Sequence, residues 1–276
     1  MKKSLFVMIL LCAVLLCGCQ PKEAGEPVTL CIVDGAETGN LVLAGETASD
    51  VYTLSVEGIT VYLDGEKADA SVLEDGMKID IVHSGEILET YPASFGDAQR
   101  IDAYSLGTEK NPGGSYYDLC GLYLNVLDDL WAKDAGLNDG VEYVSVDLSR
   151  APGSLTDGEK AAIAWIFGGR HNAAPLTLSS EELAEQGYLT EISLSYMGKG
   201  GSSDENARKI YQWDDGILFT ITDNSTEGDI YSLPVIKFDA MKWRTPLGAY
   251  YFSNCSAVWP QMGTWNSYNV EHEMIS

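Results

Sequence analysis

The sequence predicts an α+β protein in two folded parts, an all-β part first and a part with helices followed by strands second. Three observations carry this. Residues 28–106 break into short runs of alternating apolar and polar residues, separated by Gly, Asp and Glu turns. From Leu119 the apolar spacing changes to three and four residues. From Gly216 onward the two-residue alternation returns, and helices grouped ahead of strands describe α+β chains.

In chain order, Lys2 and Lys3 precede an apolar run over residues 5–16 that closes on Leu16-Cys17-Gly18-Cys19. The run is shorter than the ~20 residues a membrane-spanning helix needs and has the charged, apolar, small-residue order of a secretory leader. Leu16 and Gly18 stand where a bacterial lipoprotein signal has them. Residues 1–18 are therefore expected to leave by cleavage after Gly18, and the Cys19 thiol to carry lipid. Each buried methylene contributes ~0.8 kcal/mol, so the expected partner of the new N-terminus is the cell membrane, with the body on the extracytoplasmic side. Residues 19–27 read as a polar tether.

The β part, 28–106, is expected to hold strands near 28–33, 40–44, 51–56, 59–63, 78–83 and 86–90, with Asp64-Gly65 as a tight turn. Many short strands in few residues describe a small barrel or sandwich. Residues 107–114, rich in Gly, Pro and Asn, read as a linker. In the second part, 115–276, Leu119, Leu122, Tyr123, Val126, Leu127, Leu130 and Trp131 form one helical face, with Ser115 and Asp118 as its cap. Leu137-Asn-Asp-Gly140 stops that helix, and 141–148 follows as a strand. Thr156-Asp-Gly-Glu159 and Ser179-Ser-Glu-Glu182 are capping boxes, opening helices near 157–168 and 180–187. Strands are expected near 217–222, 234–238, 248–258 and 268–275, and a loop over 198–206. The long first helix is expected to lie across an antiparallel sheet, in the manner of a cystatin-like or NTF2-like cone by analogy.

The run from Leu73 through Tyr91-Pro92-Ala93, with the following Gln99-Arg-Ile-Asp-Ala103, resembles an uncharacterised OB-like domain family of Gram-positive lipoproteins. The resemblance implies an OB-like β-barrel and an envelope location, and supplies no activity. The segment from Lys242 to Phe252 with Cys255 is similar to parts of other surface proteins of Gram-positive bacteria.

Composition narrows the function. The 276 residues hold 41 Asp and Glu against 17 Lys and Arg, a net charge of −24. Such a surface repels polyanions, which excludes a nucleic-acid partner, and the basic aromatic groove of an oligonucleotide-binding OB-fold is missing. With Cys12 and Cys17 in the leader and Cys19 lipidated, Cys31, Cys120 and Cys255 remain. They are expected as buried thiols, with a Cys120–Cys255 bridge as the alternative.

No motif marks a catalytic residue, metal ligand or cofactor: Gly-x-Ser-x-Gly and Ser-x-x-Lys are both missing. His83 reads as a core or rim imidazole, His171 as a cation at a helix C-terminus, and His272 as exposed between Glu271 and Glu273. Asp223-Asn-Ser-Thr-Glu-Gly228 begins like a calcium loop, but Pro234 stands where position 12 needs Glu. Asp128-Asp129, Glu181-Glu182 and Asp214-Asp215 are adjacent acids, and adjacency alone does not aim two side chains at one point. Lys242 and Arg244, on one strand face opposite Trp243, are the candidate anion-binding pair, with salt bridges as the plainer reading. The expectation is a lipid-anchored, non-enzymatic binding or accessory protein with an envelope protein or small ligand as partner. A carboxylate-dependent envelope hydrolase and a structural interaction module are the alternatives.

Overall fold

The computed structural model describes residues 25–113, 117–192, 210–225, 235–258 and 267–276. The leader, Gly18 and Cys19, Ser115 and the 198–206 stretch lie outside them. The first sheet contains β1 (Val28–Asp34), β2 (Asn40–Ala44), β3 (Val51–Ser55), β4 (Thr60–Leu63), β5 (Glu66–Ala68), β6 (Lys78–His83), β7 (Ile87–Leu88), β8 (Ala93–Phe95) and β9 (Ala98–Ala103). Its order is β5-β4-β9-β6-β1-β2-β3-β8-β7. The order has two ends, so among the described residues the sheet does not close into the barrel expected of it.

Helix α1 (Leu119–Ala132), β10 (Tyr143–Asp147), α2 (Asp157–Arg170), β11 (Ala174–Leu176) and α3 (Ser180–Glu185) follow. Then come β12 (Thr190–Ile192), β13 (Ile210–Gln212), β14 (Gly216–Asp223), β15 (Val235–Thr245), β16 (Gly248–Val258) and β17 (His272–Ile275). The second sheet runs β11-β10-β14-β15-β16-β17, and β12 pairs with β13 alone. This α+β arrangement departs from the expected antiparallel sheet, because β10 pairs in parallel with both β11 and β14. Parallel neighbours need a long crossover, which α2 supplies between β10 and β11. The pattern of Ala174-Pro175-Leu176 is too short to announce a strand.

Helices α1 and α2 lie between the two sheets. Alternation along the first sheet explains how: Leu30, Ile32, Leu41 and Leu43 turn to the core within that sheet. Val33, Ala44 and Val51 turn outward, into the core that α1 and α2 share with β10, β14, β15 and β16. The two parts are therefore packed on each other. Arg170 bridges Asp34 at 2.9 Å and Asp128 at 2.6 Å. Thr156 caps α2 in a complete capping box and donates its hydroxyl to the Gly45 carbonyl at 2.7 Å. Gly158 sits so near the same carbonyl that a Cβ would lie 2.4 Å from its oxygen. Residues 107–113 of the expected linker are a folded turn, with Gly107 donating to the Asn111 carbonyl and the buried Asn111 amide donating to that of Tyr104.

The cap of α1 is Asp118, in the left-handed region at φ 53°, and its carboxylate accepts the Gly121 amide at 3.1 Å. The helix ends at Ala132, and a 3-10 turn over Ala135–Asn138 occupies the place of the expected stop.

Candidate functional site

The second sheet has one face against α1 and α2 and one turned away from them. Phe219, Ile221, Phe238, Ala240 and Phe252 point to the helices. On the reverse, α3 and the β12–β13 pair cover one end through Leu183, Trp213 and Leu218, with Tyr188, Leu189 and Trp243 packed against them. Gly216 is required there: a Cβ would fall 1.9 Å from the Trp213 ring. Beside this cover lies a cavity of about 830 Å³. A second of about 570 Å³ adjoins it, and the two share Asp147, Ser180, Glu181, Thr220 and Met241. They form one groove along the face turned away from α1 and α2, with α3 as one wall.

The groove mixes apolar surface from Leu189, Met241 and Trp243 with the carboxylates of Asp147, Glu181 and Glu185. Its far end is lined by Arg150, Asp239, Tyr251 and Ser253. Mixed lining of this kind, apolar with a few placed polar groups, is the usual make-up of a small-ligand site. Asp147 accepts the Ser149 amide at 2.9 Å. Glu181 accepts the Ser180 hydroxyl at 2.9 Å, whereas its neighbour Glu182 closes the capping box of α3.

The candidate anion-binding pair does not form a site. Lys242 is fully buried on the helix side of β15, where its Nζ donates to the carbonyls of Trp131, Lys133 and Asp134 at the end of α1. Burial lowers its pKa to about 8. Arg244 donates to the carbonyls of Leu137, Asp139, Trp213 and Asp214. Both cations are spent on main-chain oxygens that helix ends and turns leave open, a use that residue type and spacing do not reveal.

Cys31, Cys120 and Cys255 are free thiols, so the Cys120–Cys255 bridge is not made. Cys255 is buried on β16, paired in register with Phe238, and burial pushes its thiol up to about 12. Cys120 instead shares a cavity of about 210 Å³ with Cys31, Asp118 and Glu159. Burial raises the pKa of both thiols and, with help from Asp75 and Asp34, lifts that of Asp118 to about 7. In this cavity a strongly desolvated carboxyl, Asp118, and a second one, Glu159, share the lining. Both acids hold helix starts, since Glu159 accepts the Thr156 amide at 2.7 Å.

The histidines are packed or exposed as single residues. His83 is buried edge-on against Phe95 and accepts the Gly85 amide at 3.0 Å. His171 caps the end of α2, stacks on Trp131 with centroids 4.1 Å apart and meets Asp128 at 3.0 Å. His272 is exposed, 3.5 Å from Glu271. Asp128 and Asp129 take different partners, the second accepting the Tyr268 hydroxyl. Asp214 accepts Thr190 and Gln212, while Asp215 offers its carbonyl to Glu142 and Tyr143. Asp223 accepts the Ser225 amide, and the rest of that calcium-like loop lies outside the described residues. Among the described residues no three His, Cys, Asp or Glu side chains converge as metal ligands, and no helix is long and apolar enough to cross a membrane.

Comparison of the chain with protein-family models, with curated proteins and with solved structures gave no match.

Proposed function

We propose that the protein is a lipid-anchored, extracytoplasmic binding module, non-enzymatic, which holds its ligand in the groove on the face of the second sheet turned away from α1 and α2. The observation that carries this is the groove itself, where carboxylates and apolar side chains line one continuous space. The anchor rests on Lys2, Lys3, the apolar leader and Leu16-Cys17-Gly18-Cys19, and the OB-like reading of the first sheet on the resemblance of residues 73–93 and 99–103. Two acyl chains on Cys19 are enough for stable attachment, where one is marginal.

Two measurements in cells test the two halves. Labelling with an alkyne fatty acid is expected to mark the wild type and not Cys19→Ala, and the wild type is expected in the membrane fraction. Unlabelled wild type or a cytosolic wild type overturns the anchor. A photo-crosslinking residue at Met241, in the groove, is expected to give a discrete adduct that the same residue at exposed Leu88 of the first sheet does not. Identical adducts from both positions overturn the groove.

The hydrolase reading has one specific observation in its favour, Asp118 and Glu159 in a shared cavity. We place it second because both carboxylates already accept main-chain amides at helix starts. Hydrolysis of an envelope substrate lost in Asp118→Asn, with an unchanged fold, would reverse that order.

A further inference from the structure

The groove has a charge balance that narrows its ligand, an inference that rests on the groove being the binding site. Cross-strand register sets Asp147, Thr220, Met241, Tyr251 and Met274 in one row over β10, β14, β15, β16 and β17, each the direct partner of the next. With strands ~4.8 Å apart the row spans about 19 Å, the reach of roughly six residues of extended chain. Its middle is apolar and aromatic, and its β10 end is acidic.

The acids outnumber the cations in the groove: among the described residues that line it, Asp147, Glu181, Glu185 and Asp239 stand against Arg150. Asp147, Glu181 and Glu185 form no ion pair with Lys or Arg among the described residues; the bonds of the first two are to the Ser149 amide and the Ser180 hydroxyl. Lys242 and Arg244 of β15 are held by main-chain carbonyls. Other acids of the second part do find cations, as Glu273 does with Lys133 and Asp128 with Arg170. An excess of carboxylates over cations, three of them without an ion pair among the described residues and beside Tyr211 and Trp243, suits a positive group, because a cation gains from both the acids and the ring faces.

We propose that the groove binds a basic, partly apolar peptide segment, with a lysine or arginine among Asp147, Glu181 and Glu185 and the apolar residues along Met241 and Tyr251. A hexapeptide matches the row in length. Main-chain amides of the peptide have the hydroxyls of Thr220 and Ser253 within the same lining.

The test is calorimetric titration of the full lipidated protein in phosphatidylcholine nanodiscs, with empty discs as blank. Three probes are used: Lys-Leu-Lys-Ala-Lys-Leu, its Glu-Leu-Glu-Ala-Glu-Leu counterpart, and a neutral N-acetylglucosamine tetrasaccharide. Saturable one-to-one binding of the basic peptide alone is expected, weakening as salt rises. D147N/E181Q should weaken it at least tenfold. E57Q/E66Q, which removes the same charge from exposed acids of the first sheet, should leave it within twofold. Equal weakening by the two double variants would reduce the effect to attraction by the overall net charge and overturn the proposal. Binding of the tetrasaccharide or the acidic peptide instead, lost in Tyr251→Ala, would overturn the ligand class and keep the groove. Absence of binding by all three, with unchanged melting of each variant, overturns the peptide proposal, and equal adducts at Met241 and Leu88 then overturn the groove as well.

Discussion

Strands β14, β15 and β16 build two unlike surfaces from one set of residues. On the helix side Phe219, Ile221, Phe238 and Phe252 are buried at 2% exposure or less, and on the reverse Thr220, Met241, Trp243 and Tyr251 line a groove. The tripeptide Met241-Lys242-Trp243 inverts the ordinary allocation, sending its cation inward and its apolar members outward. Burial of the cation is possible because α1 ends beneath it with carbonyls that no further helical turn pairs, which suit a positive charge. Solvation alone does not decide which way a residue faces; what waits on the other side matters as much. On the proposed reading the covered face holds the fold and the open one holds a ligand, and variants on each should separate the two.

The largest effect should come from Phe219→Ala. Phe219 meets Phe167 edge-to-face at 4.8 Å and stacks with Trp131 at 6.1 Å between centroids, and truncation leaves a cavity in the layer between the helices and the sheet. A loss of about 3–5 kcal/mol in urea denaturation is expected.

Asp118 sharpens the comparison, because it starts α1, the helix that covers the inner face. Its folded pKa of about 7 lies above the ordinary carboxyl value near 3.9. The folded state therefore binds more protons than the unfolded one between those values. The stability this group contributes is present below about pH 4 and lost as pH rises through about 7. Asn caps helices and tolerates positive φ as Asp does. Asp118→Asn should be more stable than wild type by about 2–4 kcal/mol at pH 8, with the difference fading toward pH 4 in paired denaturation curves.

Lys242→Met keeps the side-chain length and removes the donors to three carbonyls. A loss of about 1–3 kcal/mol is expected near pH 7. Since the folded pKa of about 8 lies below the ordinary 10.5, the wild type gains stability from this group as pH rises through that window. The gap between wild type and variant should therefore widen from pH 8 to 10.

Much of this was legible in the sequence, for physical reasons that differ by region. Long periodic segments fixed themselves: the seven apolar positions of α1, the capping boxes of α2 and α3, and β16 need no distant partner to be recognised. The barrel was not legible as an open sheet, since closure depends on where β5 and β7 end up. β11 and β13 are three residues long and owe their strand conformation to β10 and β12. The groove escaped for a related reason. Asp147, Thr220, Met241 and Tyr251 are scattered over more than a hundred residues and meet only through register. The signal that could have found them is the outward phase of each strand, where acids and large apolar residues replace the usual polar mixture. Lys242 and Arg244 were visible as an island of positive charge, but their partners are carbonyls, which every residue carries and no sequence pattern marks.

The smallest expected effect on stability tests the other half of the comparison. Met241 lies at the centre of the open face, half-buried, and belongs to both cavities. Its immediate neighbours Ala240 and Lys242 are buried on the opposite side. Met241→Ala removes surface already in contact with solvent, leaves the aromatic layer untouched and opens no closed void. A change below about 1 kcal/mol in urea denaturation is expected, as for substitutions away from the core. Binding of the basic hexapeptide should nevertheless fall several-fold, because the shortened side chain withdraws apolar surface from the middle of the row. A loss of stability as large as that of Phe219→Ala would mean that the outer face is a second core, and the division between a face that holds the fold and a face that holds a ligand would fail.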